Sequence, residues 1–191
     1  MTEEPVPQRD CPPGPVSRSA VSAALSWLRD LAVSVVIAVV VIIFIYQPVK
    51  VEGTSMMPGL VDQERIFVNK FIYRFGIGDI RRGDLVVFWY PFDQSKSYIK
   101  RIIGLPGDIV SIDRGTLCVN GRKIDEEYVP SEYRDGVSMS PRTVEPDHFF
   151  VLGDHRNSSN DSRNWGLVPR SCIYGKAVFV YWPLERIGPV H

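Results

Sequence analysis

Ser55 and Lys100 are the two side chains whose types could carry covalent chemistry together, one as nucleophile and the other as its base. A serine hydroxyl is weakly nucleophilic until a neighbour takes its proton, and a lysine amine can do so only when uncharged. Burial lowers a lysine pKa by several units from a reference of about 10.4, whereas arginine stays protonated in proteins. That difference favours Lys100 over its neighbour Arg101. Periodicity does not separate them, because in Tyr98-Ile99-Lys100-Arg101-Ile102-Ile103 each charge shares a strand face with apolar residues. Alone, Lys100 reads more readily as a surface lysine with its stem on apolar ground. Ser55 alone reads as a solvated hydroxyl.

A histidine base is disfavoured. Of His148, His155 and His191, the last is the terminal residue and the first opens a strand-like run. His155 directly follows Asp154, so the two do not readily act as base and orienter. The run Gly53-Thr54-Ser55-Met56-Met57-Pro58 is not a Gly-x-Ser-x-Gly elbow either, since Met57 stands at the second glycine position.

The elements that must hold these residues begin with an apolar run. Leu31 to Val49 are nineteen uncharged residues ending six positions before Ser55. As a helix they span roughly 28 Å, close to the ~30 Å hydrocarbon core of a bilayer. No Ala-x-Ala cleavage site follows, so the run reads as a retained span rather than a removed leader. Trp27 and Tyr46 sit where interfacial aromatics belong. Arg18 and Arg29 on one flank against Lys50 and Arg65 on the other leave its orientation undecided.

Three parts are expected: a Pro-rich disordered tail over 1–28, a transmembrane helix over 29–49 and one extracytoplasmic domain over 50–191. Residues 65–69, 85–90, 98–103, 108–112, 116–119, 148–152 and 176–182 read as strand runs set off by Gly, Pro, Asp or Asn, and the Asn120-Gly121 turn leads into a further short segment over 122–124. Residues 125–147 read as a long polar connection. The fold class is therefore mostly β: antiparallel, barrel-like sheets behind a single N-terminal transmembrane helix. Phe88-Trp89-Tyr90-Pro91-Phe92 reads either as a core strand running into a turn or as an apolar edge dipping into lipid. Lys plus Arg equals Asp plus Glu at 22 each among 191 residues, which argues against a nucleic-acid footprint. Cys11, Cys118 and Cys172 are too few and scattered for a disulfide scaffold or a zinc site. Cys118 and Cys172 could pair or stay free, with free thiols favoured.

Three blocks then appear in order: Ser55-Met56-Met57-Pro58, Lys100-Arg101-Ile102-Ile103-Gly104-Leu105-Pro106-Gly107-Asp108, and Gly153-Asp154-His155-Arg156-Asn157-Ser158-Ser159-Asn160-Asp161-Ser162-Arg163-Asn164-Trp165-Gly166. From the span to Trp182-Pro183 the chain resembles the type I signal peptidases, membrane-bound serine proteases that remove signal peptides from exported proteins. The resemblance implies Ser55 as nucleophile, Lys100 as general base, and Ser159 as the hydroxyl that hydrogen-bonds and orients the lysine. Asp161 and Arg163 would be a structural pair near the site, with a solvated loop ion pair worth under about 1 kcal/mol as the plainer reading. Val51, Met56, Tyr98 and Ile99 would line shallow substrate pockets for small residues such as Ala. Neither metal nor cofactor is implied. The implied partners are signal peptides, the bilayer and the export machinery.

The implied location is a bacterial plasma (inner) membrane or a thylakoid, with the N-terminus cytoplasmic and the domain outside. The chain departs from the family pattern with His155 for Asn, Asn157 for Asp, Gly53 where some members carry an oxyanion-holding Ser, and no large insertion within 125–147. Two other classes fit less well. Self-cleaving repressors of the stress-response type share the Ser/Lys chemistry but carry a DNA-binding domain instead of a span. A membrane-anchored β binding module would leave Ser55 and Lys100 incidental.

Overall fold

A computed structural model describes residues 17–74 and 78–190. The chain divides into two units, one running to Ile43 and the other from Phe44 onward.

The first unit is helical. Helix α1, Ser17–Ile45, is apolar over most of its length. Within it, Ser22–Val40 has a mean hydropathy of 1.9 and none of that stretch is buried against protein. A helix apolar on every side, with no protein over it, is by length and composition fit to cross a membrane. Arg29 and Asp30 fall inside the stretch and bond to each other at 3.0 Å, so the two charges partly neutralise one another.

The helix is offset from the 29–49 expected. It starts at Ser17, so 17–28 are helical rather than tail, and the expected tail up to residue 16 lies outside the described residues. It stops at Ile45 because Pro48 has no N–H to give and restrains Gln47 away from helical geometry. Tyr46–Lys50 become strand β1 instead, paired antiparallel with β2, Arg65–Asn69. As the first strand of its sheet β1 is an edge, where a proline is tolerated.

The second unit holds two antiparallel sheets, as the strand runs predict. Between β2 and the next strand lies a single helical turn, α2, Phe71–Arg74. The remaining strands of the first half are β3 Leu85–Tyr90, β4 Asp93–Gly104, β5 Ile109–Asp113, β6 Thr116–Val119 and β7 Arg122–Lys123. They are followed by β8 Met139–Thr143, β9 His148–Leu152, the short helix α3 Ser162–Trp165, β10 Val168–Pro169, β11 Ile173–Trp182 and β12 Gly188–Pro189. The larger sheet runs β1-β2-β11-β3-β4-β9-β10 with β12 beside β11, and the smaller runs β7-β6-β5-β8.

Burial on both faces explains why β3 is a continuous apolar run. Leu85 and Val87 enter a core with Val51, Met56 and Leu60, while Val86 and Phe88 enter a second core with Ile102, Phe149 and Ile173. A third core joins Ile103, Phe150 and Leu152 to the smaller sheet. The aromatic run divides between its two readings: Phe88 is fully buried, whereas Trp89 and Phe92 are exposed at 42% and 73%. Cys118 and Cys172 are free thiols.

Candidate active site

Ser55 stands on the turn that follows β1. The base of that turn is a short ladder, with Val51 N donating to Glu64 O at 2.7 Å and Gln63 N to Val51 O at 2.9 Å. Gly53 has φ +92°, a conformation that suits glycine, and its N–H donates to Asp62 Oδ1 at 2.7 Å. Beyond it Met57 N bonds Thr54 O and Leu60 N bonds Met56 O, closing a tight coil whose Met56 and Leu60 side chains are buried.

Lys100 comes from β4, opposite Val86 on β3. Its Nζ lies 2.6 Å from Ser55 Oγ, and it donates to Ile99 O at 3.1 Å. Charged, the amine donates to the hydroxyl oxygen; neutral, it accepts the hydroxyl proton along the same line. The side chain is 3% exposed. Burial pushes the amine down to about 8, opposed by the negative charges of Asp161 and Asp154 and assisted by Arg163. Alternation on β4 sends Arg101 to the other face, where it meets Asp154 through Nε at 2.8 Å and Nη2 at 2.6 Å. Both are buried, and the Arg101 guanidinium also lies 4.1 Å from the Tyr128 ring. So Lys100 is the strand's neutralisable cation and Arg101 its paired one.

The third block wraps beneath the serine. Gly153 packs so closely that a Cβ there would come within 2.5 Å of Ser55 O and 2.6 Å of Ser159 Cβ. Ser159 Oγ is buried and has no hydrogen-bond partner among the described residues, so the bond to Lys100 that the resemblance implies is not made in this conformation. Asp161 caps α3, accepts from Gly153 N at 3.1 Å, and takes Arg163 Nε and Nη2 at 2.8 and 2.9 Å. Arg163 also pairs with Asp135. With Asp161 at 0% and the Arg163 side chain at 8% exposure, this is a buried pair and not a solvated loop bridge. His155 sends its N–H to Ser55 O at 3.1 Å, and its Nδ1 lies 3.0 Å from Thr54 O.

Two buried pairs behind the site were not read from the sequence as pairs: Arg101–Asp154, and Arg156–Glu126 with contacts of 2.8 and 2.5 Å. The signal for the first was present. Arg101 between Ile99 and Ile103 sits on an apolar strand face, and a buried guanidinium requires a carboxylate.

A cleft of about 200 Å³ opens onto Ser55 and Lys100, walled by Val49 to Gly53 and Met56 on one side and Ser97 to Ile99 on the other. It brings together all four pocket residues expected from the resemblance, Val51, Met56, Tyr98 and Ile99. Strand β9 pairs with β4 only at Arg101, Ile102 and Gly104. Thus from Ser97 to Lys100 β4 has β3 on one side and, among the described residues, no strand on the other.

The family profile described as "Signal peptidase, peptidase S26" matches residues 24–182. A signal peptidase I of Leptolyngbya laminosa is 36% identical, over 98% of this chain and 94% of its own. One from Bacillus amyloliquefaciens is 39% identical over 87% and 92% respectively. Signal peptidase I T of Bacillus subtilis strain 168 is 38% identical over 85% and 88%.

Proposed function

Given that the chain belongs to the signal peptidase family, peptidase S26, we propose that it is a membrane-anchored endopeptidase that removes signal peptides from exported preproteins, using Ser55 and Lys100 as a catalytic dyad. The observation that carries this reading is the 2.6 Å approach of a buried, pKa-lowered amine to a serine hydroxyl at the floor of an open cleft.

In this mechanism neutral Lys100 takes the Oγ proton as Ser55 attacks the scissile carbonyl. The tetrahedral intermediate then breaks its C–N bond, the ammonium gives its proton to the leaving amine, and an ester on Ser55 remains. Water, deprotonated by the same amine, hydrolyses the ester and returns the proton to Oγ. The Ser55 N–H donates to nothing among the described residues, which leaves it to serve the oxyanion. Gly53 cannot add a hydroxyl there, and its φ of +92° strains any side chain put in its place. Ser159 is the positioning hydroxyl of the lysine once a rotamer change or bound substrate brings it to Nζ.

Substrate would lie extended in the cleft, pairing its main chain with the open edge of β4. The cleft is smaller than the roughly 300–1,000 Å³ of drug-sized pockets, which suits methyl-sized residues such as those of Ala-x-Ala sites. The Ser22–Val40 stretch of α1 would anchor the enzyme, with its N-terminus cytoplasmic and the catalytic domain on the outer face of a plasma or thylakoid membrane, where the export machinery delivers preproteins.

Two results test this. Incubated in detergent with a preprotein, the full chain is expected to make one cut after a small residue, mapped by mass spectrometry, and Ser55→Ala to make none. Cleavage by the alanine variant at the parent rate would end the proposal. The second is the pH profile. Only neutral amine is active, so with a pKa of about 8 the rate should climb about tenfold per pH unit below that value and level off above it. A rate independent of pH between 6 and 9 would contradict the base assignment.

A further inference from the structure

The dyad contact is closed by a second connection behind it. Lys100 is followed by Arg101, which grips Asp154 through two nitrogens at 2.8 and 2.6 Å. Asp154 is followed by His155, which returns to the nucleophile's own turn through Ser55 O and Thr54 O. Base and nucleophile are thus joined both at their tips and through a ring of two covalent neighbours and one buried ion pair. In that ring His155 supplies the contacts on the serine side.

We infer that His155 is a positioning residue for Ser55, acting through a hydrogen bond from its Nδ1–H to the Thr54 carbonyl. This rests on the Ser55/Lys100 reading and adds a residue to it. The chemistry of the contact is restrictive. A carbonyl oxygen only accepts, so the nitrogen 3.0 Å from it must carry hydrogen whether the ring is neutral or charged. The neutral ring is therefore held as the Nδ1–H tautomer, with its lone pair on Nε2. The imidazole also has a packing partner and a tightened backbone. Tyr133 meets it edge-on with ring centroids 4.6 Å apart, and Ser158 N bonds His155 O at 2.9 Å to tighten the chain just after it. Fixing Thr54 O and Ser55 O from one residue sets the pitch of the coil, and with it the direction of Oγ toward Nζ. An asparagine places its side-chain N–H₂ at about the same distance from the backbone as Nδ1, so it can keep the bond without the ring.

The test uses the full chain in detergent, a preprotein substrate and three variants. His155→Ala removes donor and ring, His155→Phe keeps a ring against Tyr133 without a donor, and His155→Asn keeps a donor without the ring. Misplacing a reacting atom by about 1 Å can lower a rate about 100-fold. We expect kcat to fall about 10- to 100-fold in the Ala and Phe variants with KM changed less than about threefold, and the Asn variant to stay within about threefold of the parent. Nitrogen-15 shifts of the parent should show Nδ1 protonated in the neutral ring, on a signal that disappears in His155→Asn. A Phe variant as active as the parent, an Asn variant as impaired as Ala, or an Nε2–H tautomer would each overturn the inference. The Ser55→Ala control separates the two levels: an inactive Ser55→Ala beside a fully active His155→Ala sinks this inference alone, whereas an active Ser55→Ala sinks both.

Discussion

Replacing Lys100 by alanine is expected to lower kcat for preprotein cleavage by at least about 10³-fold, equivalent to about 4 kcal/mol of barrier. The hydroxyl would remain, but the amine 2.6 Å from it, the group that takes its proton in this mechanism, would be gone. Among the charged neighbours Arg101 is committed to Asp154 and Arg163 to Asp161 and Asp135. Arginine at position 100 should be as inactive as alanine, because a guanidinium donates hydrogen bonds and does not accept a proton near neutrality. KM should change little in either variant, since Val51, Met56 and Ile99 still wall the cleft. Steady-state cleavage with separate kcat and KM gives the answer, and retained turnover in either variant would remove Lys100 from the mechanism.

Asp154→Ala is expected to destabilise the domain by about 3–5 kcal/mol, since it leaves the Arg101 guanidinium buried without its carboxylate. Asp154 is fully buried and the Arg101 side chain 5% exposed, so solvent cannot compensate. For a domain of this size that corresponds to a fall in Tm of roughly 10 °C. Changing Asp154 to Leu and Arg101 to Met together should recover part of the loss, because a buried ion pair exchanged whole for apolar residues is often near neutral. Activity should not return with stability, as the ring connecting Lys100 to the Ser55 turn would still be open. Thermal or urea unfolding of the single and double variants checks this, and an Asp154→Ala chain as stable as the parent would contradict it.

What could be read from the residues follows from how local each signal is. Strands β2, β3, β6 and β9 lie where the β-branched and aromatic runs put them, each bounded by turn residues. Strand β1 was hidden because Tyr46 to Val49 continue an uncharged run, and only pairing with Arg65–Asn69 distinguishes them from the helix before them. Strand β8, Met-Ser-Pro-Arg-Thr, carries no apolar alternation because it is an exposed edge of the smaller sheet. Helix α3 spans four residues, too short to show a period of 3.6. At the site, Lys100 was legible over Arg101 because one can lose a proton and the other cannot. Its closeness to Ser55, 45 positions away, was legible only through the resemblance of the blocks that hold them. That Arg101 needs a buried carboxylate was legible from its apolar strand face, but not that Asp154 supplies it, and the Glu126 pairing left no signal, since a carboxylate in a single sequence does not name the distant arginine that will bury it.

Titration of the Lys100 amine itself tests the central claim most directly. With lysines carbon-13 labelled at Cε and the Lys100 signal assigned by its loss in Lys100→Arg, the account predicts a midpoint of about 8 in the folded chain. A midpoint at the ordinary lysine value of 10.5 would mean an ammonium at working pH, and the proposed base would be contradicted.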